Sequence, residues 1–192
     1  MSTNPHRLFI AIELPAQVRH AIRQHIDLLR RELPDVRASW TREENLHLTL
    51  KFLGDTPVEK IESLSQAVRH AATRVTPFEI EIAGCGAFPT KAQPRVLWIG
   101  VSATEPSPLQ TLFKSLEDEC AAAGFPRDER PFHPHLTIAR LRQPHGARDL
   151  ANLHKEIGFD RLSVRAEEVC LIRSELSSQG SRYTVIDRHG FV

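Results

Sequence analysis

A four-residue motif, His-aliphatic-Thr-aliphatic, occurs twice in this chain of 192 residues. The first copy is His47-Leu48-Thr49-Leu50 and the second is His135-Leu136-Thr137-Ile138. With average-like residue frequencies, roughly 0.05 copies are expected by chance in such a chain. Because side chains alternate between faces along a strand, the His and Thr of each copy point one way while the aliphatic pair enters the core. The repeat therefore predicts two related strands, each presenting an imidazole and a hydroxyl.

The residues around the two motifs predict a mixed order of strands and helices. Apolar alternation and short apolar runs indicate strands, and helical spacing of apolar residues indicates helices that begin after prolines. The predicted strands cover 8–14, 36–40, 46–53, 78–83, 95–101, 135–141, 159–174 and 182–188, and the predicted helices follow Pro15, Pro57 and Pro108 and cover 147–156. Because this order has no clean β-α-β alternation, we predict an α+β fold with mainly antiparallel sheet.

Local turn and capping signals refine this prediction. Gly54 and Asp55 are expected to turn the chain after the first motif strand. The segments Thr56-Pro57-Val58-Glu59 and Ser107-Pro108-Leu109-Gln110 are interpreted as helix N-terminal capping boxes. Since no linker or low-complexity tract divides the chain, residues 1–192 are expected to form a single domain.

Composition excludes several classes of protein. With 25 Lys and Arg against 24 Asp and Glu, the formal net charge is +1, which excludes binding of long nucleic acid by bulk charge. The three cysteines include no C-x-x-C pair, so we expect neither a disulfide framework nor a zinc ribbon. Neither a secretory signal nor a membrane-spanning run is recognised. These features favour a cytoplasmic protein without a membrane partner, and a monomer is the default expectation.

The repeated motif also indicates a chemistry. If the two strands face each other across a cleft, His47 and His135 lie on opposite sides of one reacting centre. Near neutral pH, one imidazole can accept a proton while the other donates one. This division of labour suits in-line displacement at phosphorus, and the hydroxyls of Thr49 and Thr137 can hydrogen-bond the non-bridging phosphate oxygens. The arrangement requires no metal.

The flanks of both motifs resemble a known family, the two-histidine (2H) phosphoesterases. Within it they are most similar to the bacterial RNA 2′,3′-cyclic phosphodiesterases, also called 2′-5′ RNA ligases. The resemblance covers nearly the whole chain. It is carried by the opening segment 7–12 (RLFIAI) with Leu14-Pro15, by 45–54 (NLHLTLKFLG), by 130–140 (RPFHPHLTIAR), and by the closing Ser174-Glu175-Leu176, Gly180 and Tyr183.

This resemblance implies a bilobal 2H phosphoesterase-like fold. Two pseudo-symmetric, intertwined lobes would line a central groove with mainly antiparallel sheets, and the helices would lie outside. The implied reaction is hydrolysis of the 2′,3′-cyclic phosphate at an RNA 3′ end to a 2′-phosphate, without metal or cofactor. The implied partners are RNA 3′ ends or nucleotides bearing a 2′,3′-cyclic phosphate.

The resemblance also implies roles for individual residues. His47 would be the proton donor to the leaving 3′ oxygen, and His135 the proton acceptor from water. Thr49 and Thr137 would bind the phosphate, and Arg140 lies where the family carries an arginine that contacts substrate.

Strand parity complicates the position of that arginine. Residue 140 shares the parity of the buried positions 136 and 138, so Arg140 reaches the groove only if the strand twists, bulges or ends there. Lys51, by contrast, has the parity of the groove-facing residues. Phe52 and Phe132 are expected to belong to the core, although either could stack on a base.

Other functions remain open from the sequence. A non-catalytic module that binds an RNA end or a nucleotide could use the same groove. A phosphodiesterase acting on other cyclic phosphates, or on 2′-5′ linked oligonucleotides, could use the same two histidines. His133-Pro134-His135 resembles a metal-binding pair, but no carboxylate cluster stands nearby in the sequence, so no metal site is expected.

Overall fold

The computed structural model describes residues 5–90, 92–178 and 180–192. The strands in these segments are β1 (His6–Glu13), β2 (Ala38–Trp40), β3 (His47–Thr56), β4 (Phe78–Phe88), β5 (Val96–Ala103), β6 (His135–Leu141), β7 (Leu162–Ala166), β8 (Glu168–Ser177) and β9 (Gly180–Gly190). The α-helices are α1 (Ala16–Glu32), α2 (Ile61–Ala72), α3 (Pro108–Ala122) and α4 (Ala147–Ile157). None of the helices in these segments is long and apolar enough to cross a membrane.

The strands form two antiparallel sheets, which confirms the predicted α+β class. The first sheet has the order β3-β1-β8-β9, and the second has the order β2-β6-β5-β4-β7. The first motif therefore lies on an edge strand of one sheet, and the second motif lies on a strand of the other, with β3 and β6 in contact. The chain crosses between the sheets repeatedly, since β1, β3, β8 and β9 belong to the first sheet and the other strands to the second. That the two lobes are intertwined stays a prediction. That residues 1–192 fold as a single domain stays a prediction.

Most of the apolar side chains belong to one continuous core. The helices contribute stripes at helical spacing, such as Val18, Ile22, Ile26 and Leu29 of α1, all buried. A smaller cluster lies elsewhere, on the side of the first sheet where the His47 ring sits; it comprises Phe9, Ala11, Cys170 and Ile172, with Tyr183 and Val185 packed on it. This second cluster gives the His47 side of the sheet an apolar floor.

Each motif strand contains a β-bulge directly after its threonine. In β3 the extra residue is Leu50, because the residues on either side of it pair with consecutive residues of β1. In β6 the extra residue is Ile138, whose neighbours likewise pair with consecutive residues of β5. A bulge inserts one unpaired residue and reverses the alternation of faces beyond it. The two motifs thus share an irregularity that simple strand parity does not predict.

Two local predictions after the first motif are wrong. Gly54 and Asp55 do not end the strand, since β3 continues to Thr56 and Gly54 pairs with Leu8. A second irregularity in the β1–β3 register accommodates Gly54 at φ 70°, which glycine adopts without strain. The Thr56 hydroxyl donates to the Gly54 carbonyl, and a 3₁₀ turn at Val58–Lys60 precedes α2. The capping box predicted at Thr56 is therefore absent.

The other boundaries agree more closely with the predictions. The capping signal at Ser107 is confirmed, because the Ser107 hydroxyl accepts a hydrogen bond of 3.2 Å from the Gln110 backbone N–H. The predicted strand 159–174 is two strands, β7 and β8, which belong to different sheets. Cys85, Cys120 and Cys170 are free thiols.

Candidate active site

A groove of about 540 Å³ brings together the five side chains that the sequence singles out. His47 and Thr49 reach it from β3, and His135, Thr137 and Arg140 reach it from β6. The remaining walls come partly from β3 itself and partly from other elements; their residues are Thr41, Asn45, Leu50, Phe52, Phe88, Val96, Phe113, Asp128, Arg130, Pro131, Phe132, His133 and Tyr183. Residues distant in sequence thus form one concave site.

The two imidazoles are oriented in the same way by the backbone. Nδ1 of His47 lies 2.8 Å from the carbonyl oxygen of Asn45, and Nδ1 of His135 lies 2.6 Å from that of His133. In both motifs the carbonyl belongs to the residue two positions earlier. Because a carbonyl oxygen only accepts hydrogen bonds, each Nδ1 carries the proton and each Nε2 keeps its lone pair. Nε2 is thus the atom that each ring offers to a ligand.

His47 sits in an apolar setting that favours its neutral form. Its ring packs against Phe9, with centroids 4.8 Å apart, and against the edge of Tyr183 at 5.3 Å. Burial lowers the pKa of His47 from 6.5 to about 4. The hydrogen bond to Asn45 and the negative charge of Glu13, its partner across the β1–β3 ladder, act in the opposite direction on this pKa.

His135 is also held neutral, but the charges around it have the other sign. Its ring meets the edge of Phe88, with centroids 5.2 Å apart, and burial is the largest cause that lowers its pKa. The positive charges of Arg140 and His133 lower the pKa of His135 further, whereas the hydrogen bond to the His133 carbonyl raises it. At pH 7 the unliganded groove therefore holds two neutral imidazoles, one beside a carboxylate and the other beside a guanidinium.

The bulge at Ile138 resolves the parity problem of Arg140. Ile138 and Ala139 are both fully buried, and Arg140, one residue later, is exposed and lines the groove. The arginine thus reaches the groove through a β-bulge, one of the three routes that parity allowed. The equivalent bulge in β3 has the reverse effect on Lys51, which is 4% exposed and does not face the groove.

Phe52 and Phe132 differ from the expectation that both belong to the core. Phe52 is 63% exposed and lines the groove, because the bulge at Leu50 turns it outward. Phe132 packs against the core and also lines the groove, stacked on Phe113 with ring centroids 4.0 Å apart. The groove that holds the imidazoles is therefore also lined by flat apolar surface, on which a nucleobase could stack.

The loop before β6 supplies groove residues that sequence reasoning missed. Arg130 is paired with Asp128 through two contacts, Nε–Oδ1 at 3.0 Å and Nη2–Oδ2 at 2.7 Å. This pairing lowers the pKa of Asp128 to about 2. The backbone N–H of Asp128 donates to Glu117, and Glu117 forms a buried ion pair with Lys51 at 2.6 Å. Glu117 thereby connects the loop to Lys51 on β3. No local sequence pattern predicts this connection.

Two groups of described side chains have the ligand types to hold a metal ion. They are His25 with Cys85 and His154, and Glu13 with Glu168 and Cys170; within each group the potential ligand atoms lie within 4.8 Å of one another. In the first group, Nε2 of His25 and Nδ1 of His154 are hydrogen-bonded to each other at 2.9 Å. Nε2 of His154 is hydrogen-bonded to the Trp98 carbonyl oxygen. Neither group contains a residue that lines the groove.

Known proteins of one superfamily resemble this chain in sequence. A model of the 2'-5' RNA ligase superfamily matches residues 16–177. An RNA 2',3'-cyclic phosphodiesterase of Methanothermobacter thermautotrophicus is 37% identical over 179 residues, which cover 93% of this chain and 95% of the relative. The Escherichia coli K12 protein of the same name is 34% identical over 186 residues and covers 97% of both chains.

Solved structures share the fold over nearly the whole chain. A crystal structure of a Thermus thermophilus protein superposes with a TM-score of 0.77 at 28% identity, covering 96% of this chain and 97% of the other. A crystal structure of E. coli LigT complexed with 3'-AMP gives a TM-score of 0.73 at 29% identity, covering 98% and 99%. These similarities confirm the expected bilobal architecture.

Proposed function

The chain belongs to the 2'-5' RNA ligase superfamily, and we propose that it hydrolyses the 2′,3′-cyclic phosphate at an RNA 3′ end to a 2′-phosphate. One observation carries this proposal. His47 and His135 line a single groove, and the same backbone contact leaves Nε2 of each ring free. Relatives named RNA 2',3'-cyclic phosphodiesterase, 28–38% identical to this chain, supply the substrate class.

In the proposed reaction, the two imidazoles move one proton each. Nε2 of His135 accepts a proton from water as the water oxygen bonds to phosphorus. The bond between phosphorus and the 3′ oxygen breaks, and His47 donates a proton to that oxygen. The products are a free 3′ hydroxyl and a 2′-phosphate, and the proton is then returned from His135 to His47 through solvent.

The charges near the two rings support this assignment of acid and base. Both imidazoles are neutral in the free groove, so binding of the phosphodiester anion is the event that draws a proton onto one of them. Glu13 raises the pKa of His47, whereas Arg140 lowers that of His135. These two charges favour a proton on His47, but burial is the largest cause acting on that ring and lowers its pKa to about 4. The proposed role of His47 as donor, with His135 as acceptor, therefore requires that the bound phosphodiester raise the pKa of His47.

The remaining three residues are proposed to hold the phosphate. The hydroxyls of Thr49 and Thr137 come from opposite sheets and can donate to the two non-bridging oxygens. The guanidinium of Arg140 adds a charge-assisted contact that strengthens as negative charge grows on phosphorus. No step of this scheme requires a metal ion.

We also propose that the enzyme acts as a monomer in the cytoplasm. The five proposed site residues all come from one chain, which supports activity without a partner subunit. Its three cysteines are free, which suits a reducing compartment.

The test is an assay of chelator-treated protein on 2′,3′-cyclic AMP and on RNA ending in a cyclic phosphate. We expect turnover in EDTA and a product with a 2′-phosphate. A 3′-phosphate product would mean that the 2′ oxygen leaves instead. Loss of turnover in EDTA would contradict the metal-free scheme. Binding of a 2′-phosphorylated nucleotide without any hydrolysis would favour a non-catalytic module.

A further inference from the structure

Polar side chains continue along β6 beyond the proposed catalytic groove. His135, Thr137 and Arg140 all line that groove, because the bulge at Ile138 shifts the alternation by one residue. Arg142 follows two residues after Arg140, directly beyond Leu141, the last residue of β6, and is exposed. Residues two apart in a strand share a face and lie about 6.6 Å apart. Two exposed arginines, Arg140 and Arg142, thus follow the groove-lining imidazole and hydroxyl toward the end of β6 that lies beside β2.

The edge strand β2 runs alongside these residues. Ser39 pairs with Arg140, so their side chains lie on the same face, and Arg37 precedes Ser39 by two residues. Thr41 fixes the other end of β2, where its hydroxyl donates to the Thr137 carbonyl at 2.8 Å. Arg37, Ser39 and Arg140 are all exposed, so this face is open toward solvent.

A second groove of about 800 Å³ lies at this open edge. Arg37 and Arg142 line it together with Arg30 and Arg31 of α1, and Asp27 is its one lining carboxylate among the described residues. We call it the arginine groove; its other lining residues are Leu33, Pro34, Val36, Ala38, Ser39, Trp40 and Gln143.

The arginine groove keeps an excess of positive charge. Asp27 is already paired with Arg23 at 2.8 Å and with Arg30 at 3.6 Å. Arg37 and Arg142 are both exposed and form no ion pair with any residue that the structure describes. Since Arg31 is paired with Glu32 at 3.8 Å, the positive charge of the arginine groove that stays unpaired among the described residues is that of Arg37 and Arg142.

We propose that the arginine groove binds the backbone phosphates of the RNA nucleotides that precede the terminal cyclic phosphate. The inference rests on the proposed function, since the cyclic end would occupy the site between His47 and His135. From there the strand would pass Arg140 and leave over Arg142 and Arg37. Guanidinium groups bind phosphates bidentately and without regard to base identity, so these contacts would add affinity for longer RNA and no sequence preference.

Continuity with the catalytic groove is what favours RNA over another anionic partner. Ser39 and Arg142 line the arginine groove, whereas Arg140 lines the catalytic groove, yet Ser39 pairs with Arg140 across the β2–β6 ladder. The two grooves therefore meet at the β2–β6 ladder, and a polymer that occupies one groove would have a short path to the other. An acidic protein or an anionic lipid would have no reason to follow this path into the catalytic site.

The test compares a long and a short substrate on the double variant Arg37→Gln/Arg142→Gln. The substrates are 2′,3′-cyclic AMP and a short single-stranded RNA ending in a cyclic phosphate. With the RNA, we expect kcat/KM to fall at least about tenfold, mostly through KM. The slope of log kcat/KM against log salt should become shallower by about 0.7 for each phosphate that the variant no longer binds. With cyclic AMP, both kcat and KM should stay within about twofold of the wild type.

Arg74→Gln is the matched control, since Arg74 is an exposed arginine that follows α2 and lines neither groove. It should leave both substrates unaffected. An unchanged rate on RNA in the double variant, or an equal loss on both substrates, would overturn the proposal.

If the wild type hydrolyses neither substrate, the proposed function fails separately. The arginine groove is then tested by binding of a fluorescent RNA with a 2′-phosphate end. The same tenfold loss of affinity is expected in the double variant, and equal affinity would refute the groove.

Discussion

The strands β3 and β6 have the same local backbone design but different neighbours. Each begins with a histidine whose Nδ1 is hydrogen-bonded to the backbone carbonyl of the residue two positions earlier. Each also has a β-bulge directly after its threonine. Beyond the bulge the chemistry diverges. β3 continues with buried Lys51 and exposed Phe52, whereas β6 continues with buried Ala139 and exposed Arg140. The shared backbone design thus orients the two imidazoles in the same way. The residues around them differ, so the two rings have different charged neighbours.

The unlike neighbours of the two strands allow a near-symmetric site to give the acid and base roles to different histidines. Two histidines in identical surroundings would compete for one proton. Here the negative charge of Glu13 raises the pKa of His47, and the positive charge of Arg140 lowers that of His135. Burial lowers the pKa of both rings, so neither is charged until an anion arrives. Substitutions at equivalent positions of β3 and β6 can therefore show which contributions to catalysis and stability the two strands share and which they do not.

Replacing either histidine should have the largest effect. His47→Ala and His135→Ala should each lower kcat by about 10²- to 10⁴-fold, because each removes one proton-transfer group. The double variant should be little worse than either single variant, since the two groups act in one step. Circular dichroism and thermal unfolding control for folding. A single variant that keeps more than about a tenth of the wild-type kcat would contradict the paired mechanism.

The buried residues after the two bulges differ in what they contribute to stability. Lys51 forms an ion pair with Glu117 in which both side chains are under a tenth exposed. Lys51→Met should lower the free energy of unfolding by about 3–5 kcal/mol, because it leaves a buried carboxylate without a counter-charge. Urea unfolding measures this loss.

Lys51→Met/Glu117→Met is the control for that loss, because removing both charges should recover much of the stability. Equal stability of Lys51→Met and wild type would show that the pair is not buried in solution.

The exposed residues after the two bulges should differ in catalysis. Arg140→Ala removes the charged phosphate contact and should lower kcat/KM on 2′,3′-cyclic AMP by about 10- to 100-fold. Phe52→Ala, at the equivalent place on β3, removes only apolar surface and should cost less than about tenfold, mainly in KM. Steady-state kinetics on both variants separates the two. A larger loss from Phe52→Ala than from Arg140→Ala would reverse the proposed roles.

The pH profile should show the smallest but most specific effect. The pKa of each histidine is lowered from 6.5, so the protonated form that kcat/KM needs disappears as pH rises through a value below 6.5. Bound phosphodiester raises the pKa, so the corresponding fall in kcat should come at higher pH.

Glu13→Gln removes a charge that raises the pKa of His47, so it should move the fall in kcat/KM to lower pH by a few tenths of a unit. A shift to higher pH would contradict the proposed influence of Glu13 on His47.

The sequence is informative where function depends on strand periodicity. The repeated motif predicts that His47, Thr49, His135 and Thr137 share one site, and the structure places all four in one groove. It cannot predict the bulges, because an inserted residue leaves no mark in apolar alternation until the pairing partner is known. For this reason regular strand alternation predicts that Lys51 faces the groove and that Arg140 faces away from it. The structure shows the opposite for both residues.

Residues on the loop before β6 are beyond the reach of sequence patterns for another reason. Arg130 enters the groove because Asp128 holds its guanidinium and Glu117 holds the Asp128 backbone. These contacts join α3 to a loop without any periodic pattern, so only the folded chain reveals them.

Tyr183, at the far end of the chain, meets the His47 ring through the β8–β9 pairing.

The most direct test of the division between acid and base is NMR titration of the imidazole nitrogens of His47 and His135. In the free protein, Nδ1 should carry the proton on both rings, with both pKa values below 6.5. With a slowly hydrolysed 2′,3′-cyclic phosphorothioate bound, the pKa of His47 should rise above that of His135. A higher pKa for His135 in that complex would contradict the proposed roles of the two histidines.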